Sequence, residues 1–291
     1  MSSTNTSSAL TILTPLPTDR PPIRAIVFDF DGTISTLRQG WEPIMSMLMV
    51  EMIAGPSEPT PALCAEVEAY IDHSTGIQTI HQMVWLAEAV VRYGLNPEVH
   101  DAWWYKAEYN RRLMEPVLAR VAAIAGDLPP HPQPFSPGRR ETEGTSAFMV
   151  AGSRAFLEAL RTAGIALYVA SGTDHPDVVR EVSVLGLTDF FVEIAGAPVG
   201  AMDCSKEAVL RRLVQDAGLT GLEVAVIGDG RVEIALGREV GAITLGVATD
   251  EVHRAGINPV KYARLERAGA HAITGDFSAR EAILAWLGVG F

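Results

Sequence analysis

The stretch Ile23-Arg24-Ala25-Ile26-Val27-Phe28-Asp29-Phe30-Asp31-Gly32-Thr33 decides the fold. A short apolar run, the pattern of a buried strand, ends in two carboxylates one residue apart and a glycine turn. Strand alternation aims Asp29 and Asp31 the same way, at the carboxyl end of a strand, where open α/β sheets bind ligands. Taken alone, Asp-x-Asp-Gly also reads as an acidic, solvated turn after a strand. Three later segments shift the reading toward chemistry.

The first is Ile165-Ala166-Leu167-Tyr168-Val169-Ala170-Ser171-Gly172-Thr173, a second apolar strand ending on a hydroxyl and a glycine. A small hydroxyl and backbone N–H groups at Ser171 and Gly172 suit a phosphate oxygen. The second is Cys204-Ser205-Lys206-Glu207-Ala208-Val209-Leu210, where Ser205 is a candidate N-cap and Lys206 either a catalytic cation or a solvent-facing first-turn lysine. The third is Val224-Ala225-Val226-Ile227-Gly228-Asp229-Gly230-Arg231-Val232-Glu233, a strand stopped by Gly-Asp with a second acid four residues on. Singly, Asp229 and Glu233 also read as an N-cap and an ordinary helix acid.

In this order, each at the end of a strand, the four segments resemble the haloacid dehalogenase-like hydrolase superfamily. The resemblance covers about residues 22–34 and 148–291. It implies a nucleophile at Asp29, a general acid/base at Asp31, and a phosphoryl group held by Ser171 and Lys206. It also implies Mg²⁺ on a carboxylate oxygen of Asp29, the backbone carbonyl of Asp31 and the carboxylate of Asp229. The family's second acid in the last motif is usually Asp; here it is Glu233, whose longer arm reaches the metal through water or sits displaced. Dehalogenases lack the second carboxylate of the first motif, and phosphonate-cleaving relatives usually carry alanine there, so Asp31 points to a phosphatase. A carboxylate attacking a dianionic phosphate meets charge repulsion, which explains the need for a hard divalent cation. Asp31 must be protonated to release the alcohol and ionised to activate water.

The chain has 291 residues, 48% hydrophobic and 20% charged, enough for one or two domains with a sizeable core. A formal net charge of −12 and the lack of a basic stretch disfavour nucleic acid and anionic membrane as partners. Cys64 and Cys204 show no metal-ligand spacing and read as free thiols, and the expected compartment is the cytoplasm. Residues 1–22, rich in Ser, Thr and Pro, read as a mobile tail rather than a signal peptide or membrane span.

The expected fold class is α/β: a doubly wound, Rossmann-like parallel sheet formed by residues 23–34 and 148–291. Expected strands are Ile23–Phe28, Ile165–Ala170, Phe190–Ala195, Glu223–Ile227, Ile243–Val247 and Ala272–Thr274, alternating with helices. Residues 35–147 break the alternation with helical patterns alone and read as an inserted all-helical cap. Trp41–Ala54 is one helix; Thr60 and Pro61 start the next; Ile77–Tyr93 is a third; Asn96 and Pro97 open a long run to Ala125. The Pro-rich stretch 127–138 returns the chain to the core. Such a cap, by resemblance, closes over the phosphate and selects the leaving group.

Within the cap, Thr75, Gly76 and Gln78 are candidates to hydrogen-bond a polyhydroxylated leaving group, or simply form a helix-start turn. Arg38 is a candidate for a second substrate anion, or for a salt bridge. Lys106, beside Trp103, Trp104 and Tyr105, reads as a snorkelling lysine ahead of a substrate contact, and Met45, Met47, Met49 and Met52 as adaptable cap packing. The seven histidines show no ligand spacing, and Arg231 is either an active-site charge or solvent-facing. The expected function is a Mg²⁺-dependent phosphatase of a small phosphorylated metabolite, a sugar phosphate or organic acid phosphate. A β-phosphoglucomutase-type mutase and a non-catalytic domain binding a phosphorylated ligand are the alternatives; oligomeric state is not readable.

Overall fold

The structure, a computed structural model, describes residues 10–126, 143–202, 205–216 and 218–290. Seven strands form one sheet: β1 (Thr11–Ile12), β2 (Ala25–Phe28), β3 (Ala166–Asp174), β4 (Glu193–Ala197), β5 (Val224–Gly228), β6 (Ile243–Val247) and β7 (Ala272–Thr274). Their order is β1-β7-β6-β5-β2-β3-β4, and all neighbours are parallel except β1 against β7. The chain runs outward from β2 through β3 to β4, then returns to the other side of β2 with β5. Ligand crevices form at such a reversal.

β2 is a continuous apolar run because both its faces are covered. Ile26 and Phe28 pack with Phe156 and Leu160 of α6 (Ser153–Thr162), Val178 and Val182 of α7 (His175–Val184), and Leu284 of α11 (Arg280–Leu287). Ala25 and Val27 face Val209 and Leu210 of α8 (Ser205–Asp216) and Leu236 of α9 (Arg231–Glu239). α10 (Pro259–Arg267), capped by the Asn258 side chain, sends Leu265 against Ile273.

Four helices lie between β2 and β3: α1 (Trp41–Ala54), α2 (Pro61–Ser74), α3 (Thr79–Tyr93) and α4 (Ala102–Gly126), followed by the short α5 (Glu143–Ser146). The first four bury a hydrophobic cluster of their own, with Leu48, Leu63, Leu86, Tyr105 and Val117 at its centre. Thr60 caps α2 through its hydroxyl, which accepts the Leu63 N–H at 3.2 Å.

Four expectations need correction. Residues 10–22 are not a loose tail, since β1 pairs with β7 and the N–H groups of Leu13 and Thr14 donate to the His271 carbonyl. Asn96 does not start α4: its amide donates to the Met52 carbonyl, and Asp101, accepting the Trp104 N–H at 2.8 Å, caps the helix instead. α3 begins at Thr79, not Ile77, with Gln78 as its N-cap residue. Met45 and Met49 are buried in the helical cluster and Met52 packs against it, but Met47 is 68% exposed and outside it. The Pro-rich stretch, residues 1–9 and Cys204 lie outside the described residues. No helix among the described residues is long and apolar enough to cross a membrane.

Candidate active site

Asp29 and Asp229 follow directly on β2 and β5, Ser171 lies in the last part of β3, and Lys206 and Glu233 come from the first turns of α8 and α9. The ladder between β2 and β5 continues to the Asp29 N–H, which donates to the Ile227 carbonyl at 2.9 Å and fixes the backbone just where the first carboxylate emerges. Asp29 Oδ1 lies 2.8 Å from Lys206 Nζ, which also donates to Glu233 Oε2 at 3.2 Å. Lys206 is 5% exposed, so it is no solvent-facing lysine. Burial works against its charge, but Asp29 and Glu233 outweigh that and hold its pKa above the ordinary value.

Asp29, Asp229 and Glu233 offer ligand oxygens all within 4.8 Å of one another, and all three are buried. Glu233 divides its carboxylate. As the third residue of α9 it reaches back with Oε1 to accept the Gly230 N–H at 2.5 Å, while Oε2 faces Lys206. Asp229 does not cap α9; its Oδ2 accepts from Lys261 Nζ at 2.6 Å, and Lys261 also reaches Glu251 at 2.5 Å. Carboxylates outnumber cations around this pocket, and a buried excess of negative charge with hard oxygen donors fits a divalent cation such as Mg²⁺. Burial, reinforced by Glu233, Asp229 and Asp31 and opposed by Lys206, raises the Asp29 pKa well above the ordinary carboxylate range.

Asp31 turns away from that cluster. Its Oδ2 accepts the Thr173 hydroxyl at 2.8 Å, and its buried Oδ1 has no hydrogen-bond partner and lies 3.8 Å from Arg38 Nε. Burial raises its pKa, against the pull of Arg38 and Thr173. A carboxyl with one oxygen tethered and the other open, and a tendency to hold its proton, is equipped to exchange a proton with a bound group. Ser171 is buried, and its Oγ accepts the Thr173 N–H at 3.0 Å, which rigidifies the turn at the end of the sheet.

Asp29, Asp31, Ser171, Thr173, Lys206 and Asp229 line a cavity of about 90 Å³ whose other wall is supplied by the helical insertion. Thr75 and Gly76 line it, with the Thr75 hydroxyl donating to the Ile71 carbonyl. Gly76 has φ of +94°, and a Cβ there would sit 2.6 Å from Glu233 Oε2. A Cβ on Gly172 would meet the Ile77 carbonyl oxygen at 2.9 Å. Both glycines thus lie where insertion and core come close, an approach that their lack of a side chain permits.

Two expectations fail on geometry. Gln78 does not line the cavity: its amide donates to the Ala201 carbonyl at 2.9 Å, tying the insertion to the loop before α8. Arg38 does line it, but it is no open anion site. Nη2 and Nε bind Glu181 at 2.7 and 3.1 Å, with Asp177 at 3.6 Å from Nη2. Glu181 is fully buried, and burial, only partly offset by Arg38, pushes its pKa up to about 7. Lys106, rather than snorkelling, is buried on Asp174 at 2.5 Å across the same seam, and Arg231 pairs with His73.

Sequence reasoning passed over Thr173, Glu181, Lys261 and the cavity residues Trp41, Tyr109 and Leu113. Thr173 carried a readable signal, two positions after Ser171 and so on the same side of a strand. Glu181 and Lys261 carried none, being ordinary charged helix residues until the fold brings them in.

Residues 23–241 match the family described as Hydrolase: haloacid dehalogenase-like hydrolase, and the chain belongs to that family. No curated protein matches the chain. Among solved structures it is similar to a predicted phosphoglycolate phosphatase from Haemophilus somnus 129pt, with 16% identity, TM-score 0.56, and coverage of 90% of this chain and 97% of that one. A predicted phosphatase from Clostridium acetobutylicum gives 15%, 0.56, 91% and 100% respectively. A β-phosphoglucomutase from Clostridium difficile gives 15%, 0.55, 91% and 97%. At such identities the likeness establishes the shared fold.

Proposed function

We propose that the protein is a Mg²⁺-dependent phosphatase that hydrolyses a small phosphorylated metabolite through an aspartyl-phosphate, with the helical insertion as its cap. The observation that carries this reading is the pairing of Asp29 with Lys206 at 2.8 Å inside a buried carboxylate cluster, with the open oxygen of Asp31 across the cavity. Asp29, Asp229 and Glu233 would hold the ion, together with the Asp31 backbone carbonyl. Bound there, Mg²⁺ neutralises the approach of a carboxylate to a phosphate and the charge that develops between them.

The chain's own residues divide the remaining work. An Asp29 carboxylate oxygen attacks phosphorus, the bond from phosphorus to the alcohol oxygen breaks, and Asp31 gives that oxygen its proton. Asp31, now ionised, takes a proton from a water whose oxygen attacks the same phosphorus, and the phosphorus–Asp29 bond breaks to release inorganic phosphate. Lys206 and the Ser171 and Gly172 end of β3 hold the non-reacting phosphoryl oxygens. Thr173 keeps the Asp31 carboxyl aimed at the cavity. The cap excludes water during the first step and selects the alcohol. The proposed substrates are sugar phosphates or organic acid phosphates, and the proposed compartment is the cytoplasm.

A phosphate-release assay with purified protein, Mg²⁺ and no activator tests the reading. Stoichiometric phosphate from a monophosphate is expected. Isomerised substrate without phosphate, or a requirement for a bisphosphate, would replace it with the mutase. Phospho-ligand binding without turnover would make the domain regulatory.

A further inference from the structure

The cap side of the cavity differs from the core side in charge. Among the described residues two cationic side chains line it, Lys206 and Arg38. Lys206 sits between Asp29 and Glu233 and faces the phosphoryl position. Arg38 is the cation nearest the place where an alcohol would project, and it is already engaged by acids: Glu181 at 2.7 Å, Asp31 at 3.8 Å, and Asp177 at 3.6 Å, which Arg180 also holds at 2.9 Å. The remaining cap-side walls are uncharged. Trp41, Ile77 and Leu113 give an apolar face, and Thr75, Thr79 and Gln82 give neutral hydrogen-bonding groups. Lys106, the other buried cap lysine, is spent on Asp174 and lies outside the lining.

We infer, on the basis of the phosphatase reading above, that the leaving group is an electrically neutral small alcohol, and that substrates with a second phosphate or a carboxylate are discriminated against. A second anion would enter a region where the charge of Arg38 is already cancelled by the buried Glu181, with no further cation lining the cavity among the described residues. Like charges brought together in a poorly solvated cavity raise the cost of binding, and that mismatch works as a filter. A neutral alcohol meets no such penalty: its carbons lie against Trp41 and Leu113, and its hydroxyls have Thr75, Thr79 and Gln82 as partners. Glu181 is then a specificity-determining residue that never touches substrate, because it cancels the charge Arg38 would otherwise offer. Of the classes considered, this selects neutral polyol or sugar monophosphates over organic acid phosphates and bisphosphates.

The test compares kcat/KM with saturating Mg²⁺, above neutrality so that Glu181 is ionised, on glycerol phosphate, phosphoglycolate, 3-phosphoglycerate and a hexose bisphosphate. The neutral-alcohol ester should lead the anionic ones by at least about tenfold. Glu181→Gln, which leaves Arg38 less compensated, should narrow that ratio by improving the anionic substrates. Should that variant misfold, inhibition of the wild type by ethylphosphonate and by phosphonoacetate gives the same comparison as binding alone, with ethylphosphonate expected to be the tighter. Faster turnover of phosphoglycolate or the bisphosphate, tighter phosphonoacetate, or a ratio unchanged in folded Glu181→Gln would overturn the inference and leave the phosphatase standing. No phosphate release from any of the esters would remove the phosphatase reading itself.

Discussion

The two walls of the cavity are made by different means. The core wall is built on the sheet: Asp29 follows β2 and Asp229 follows β5, both at the end of a regular parallel ladder, and Ser171 lies in β3 just past its pairing with β2, where the register with β4 shifts. The cap wall is made of helix sides and one loop, held to the core by side-chain links such as Gln78 to Ala201 and Lys106 to Asp174. Reacting groups need placement to a fraction of an ångström, which a hydrogen-bonded sheet supplies. On the proposed function the cap wall chooses the alcohol, which calls for shape and charge balance more than for that precision. The contrast separates variants that abolish chemistry from variants that change what is admitted.

The largest effect is expected on the core wall. Asp29→Asn is nearly isosteric, so the protein should unfold cooperatively as before while phosphate release falls by roughly 10³-fold or more, the scale of losing a nucleophile. Full activity in a folded Asp29→Asn protein would end the mechanism.

Next come the ion-holding groups. Chelation should abolish activity and added Mg²⁺ restore it, and Asp229→Ala should bind Mg²⁺ too weakly for that rescue at ordinary concentrations. Glu233→Gln should cost less, roughly 10-fold to 100-fold in metal affinity, because half of that carboxylate already serves the Gly230 N–H. Calorimetric titration with Mg²⁺ ranks the two. Equal losses would show Glu233 acting as a full ligand.

A smaller effect separates the walls themselves. Gly76→Ala puts a methyl 2.6 Å from Glu233 Oε2 at a backbone φ of +94°, so the loop must shift and the cap cannot seat fully. A drop of about tenfold in kcat/KM is expected, carried mostly by KM, with the Mg²⁺ affinity of the core wall kept. Loss of Mg²⁺ binding in this variant would mean that the two walls are not separable.

The same contrast governs how far the sequence could be read. The core wall was legible because a buried strand has a run-length signature and its end is punctuated by Gly-Asp, Ser-Gly or Asp-x-Asp-Gly; β6 and β7 fall at the expected residues. Within the cap, Trp41–Ala54 and the Thr60–Pro61 start were legible from local capping chemistry. What sequence could not give was partnership across the chain. Arg38 was left open between a substrate anion and a salt bridge because its partner Glu181 lies 143 positions away in an unremarkable helix. Gln78 was left open between a leaving-group contact and a helix-start turn; it is the N-cap residue of α3, and the carbonyl its amide binds belongs to a loop with no sequence signal. β1 was missed because two residues have no periodicity; only the waiting edge of β7 makes them a strand.

The smallest effect is expected where neither wall is involved, at the sheet edge. His271 Nδ1 accepts the Thr244 N–H at 3.1 Å, the ring lies beside Arg238, and His271 is absent from the cavity lining. Burial, reinforced by Arg238, pushes its pKa down to about 4 from an ordinary 6.5. Between those values the unfolded chain binds a proton that the folded protein refuses. The unfolded state therefore holds more protons, and stability falls as pH drops through that window, being fully present only above it. Asp29 and Asp31 work in the opposite sense: their raised pKa values favour the protonated folded form, so their contribution is lost as pH rises. The two trends are separated by replacing His271 alone. His271→Asn should lower Tm somewhat at neutral pH, unfold with a shallower dependence between pH 6.5 and about 4, and keep the wild-type pH profile of phosphate release. An unchanged pH dependence of Tm would show that His271 is protonated in the fold, and a shifted activity profile would tie the sheet edge to the core wall after all.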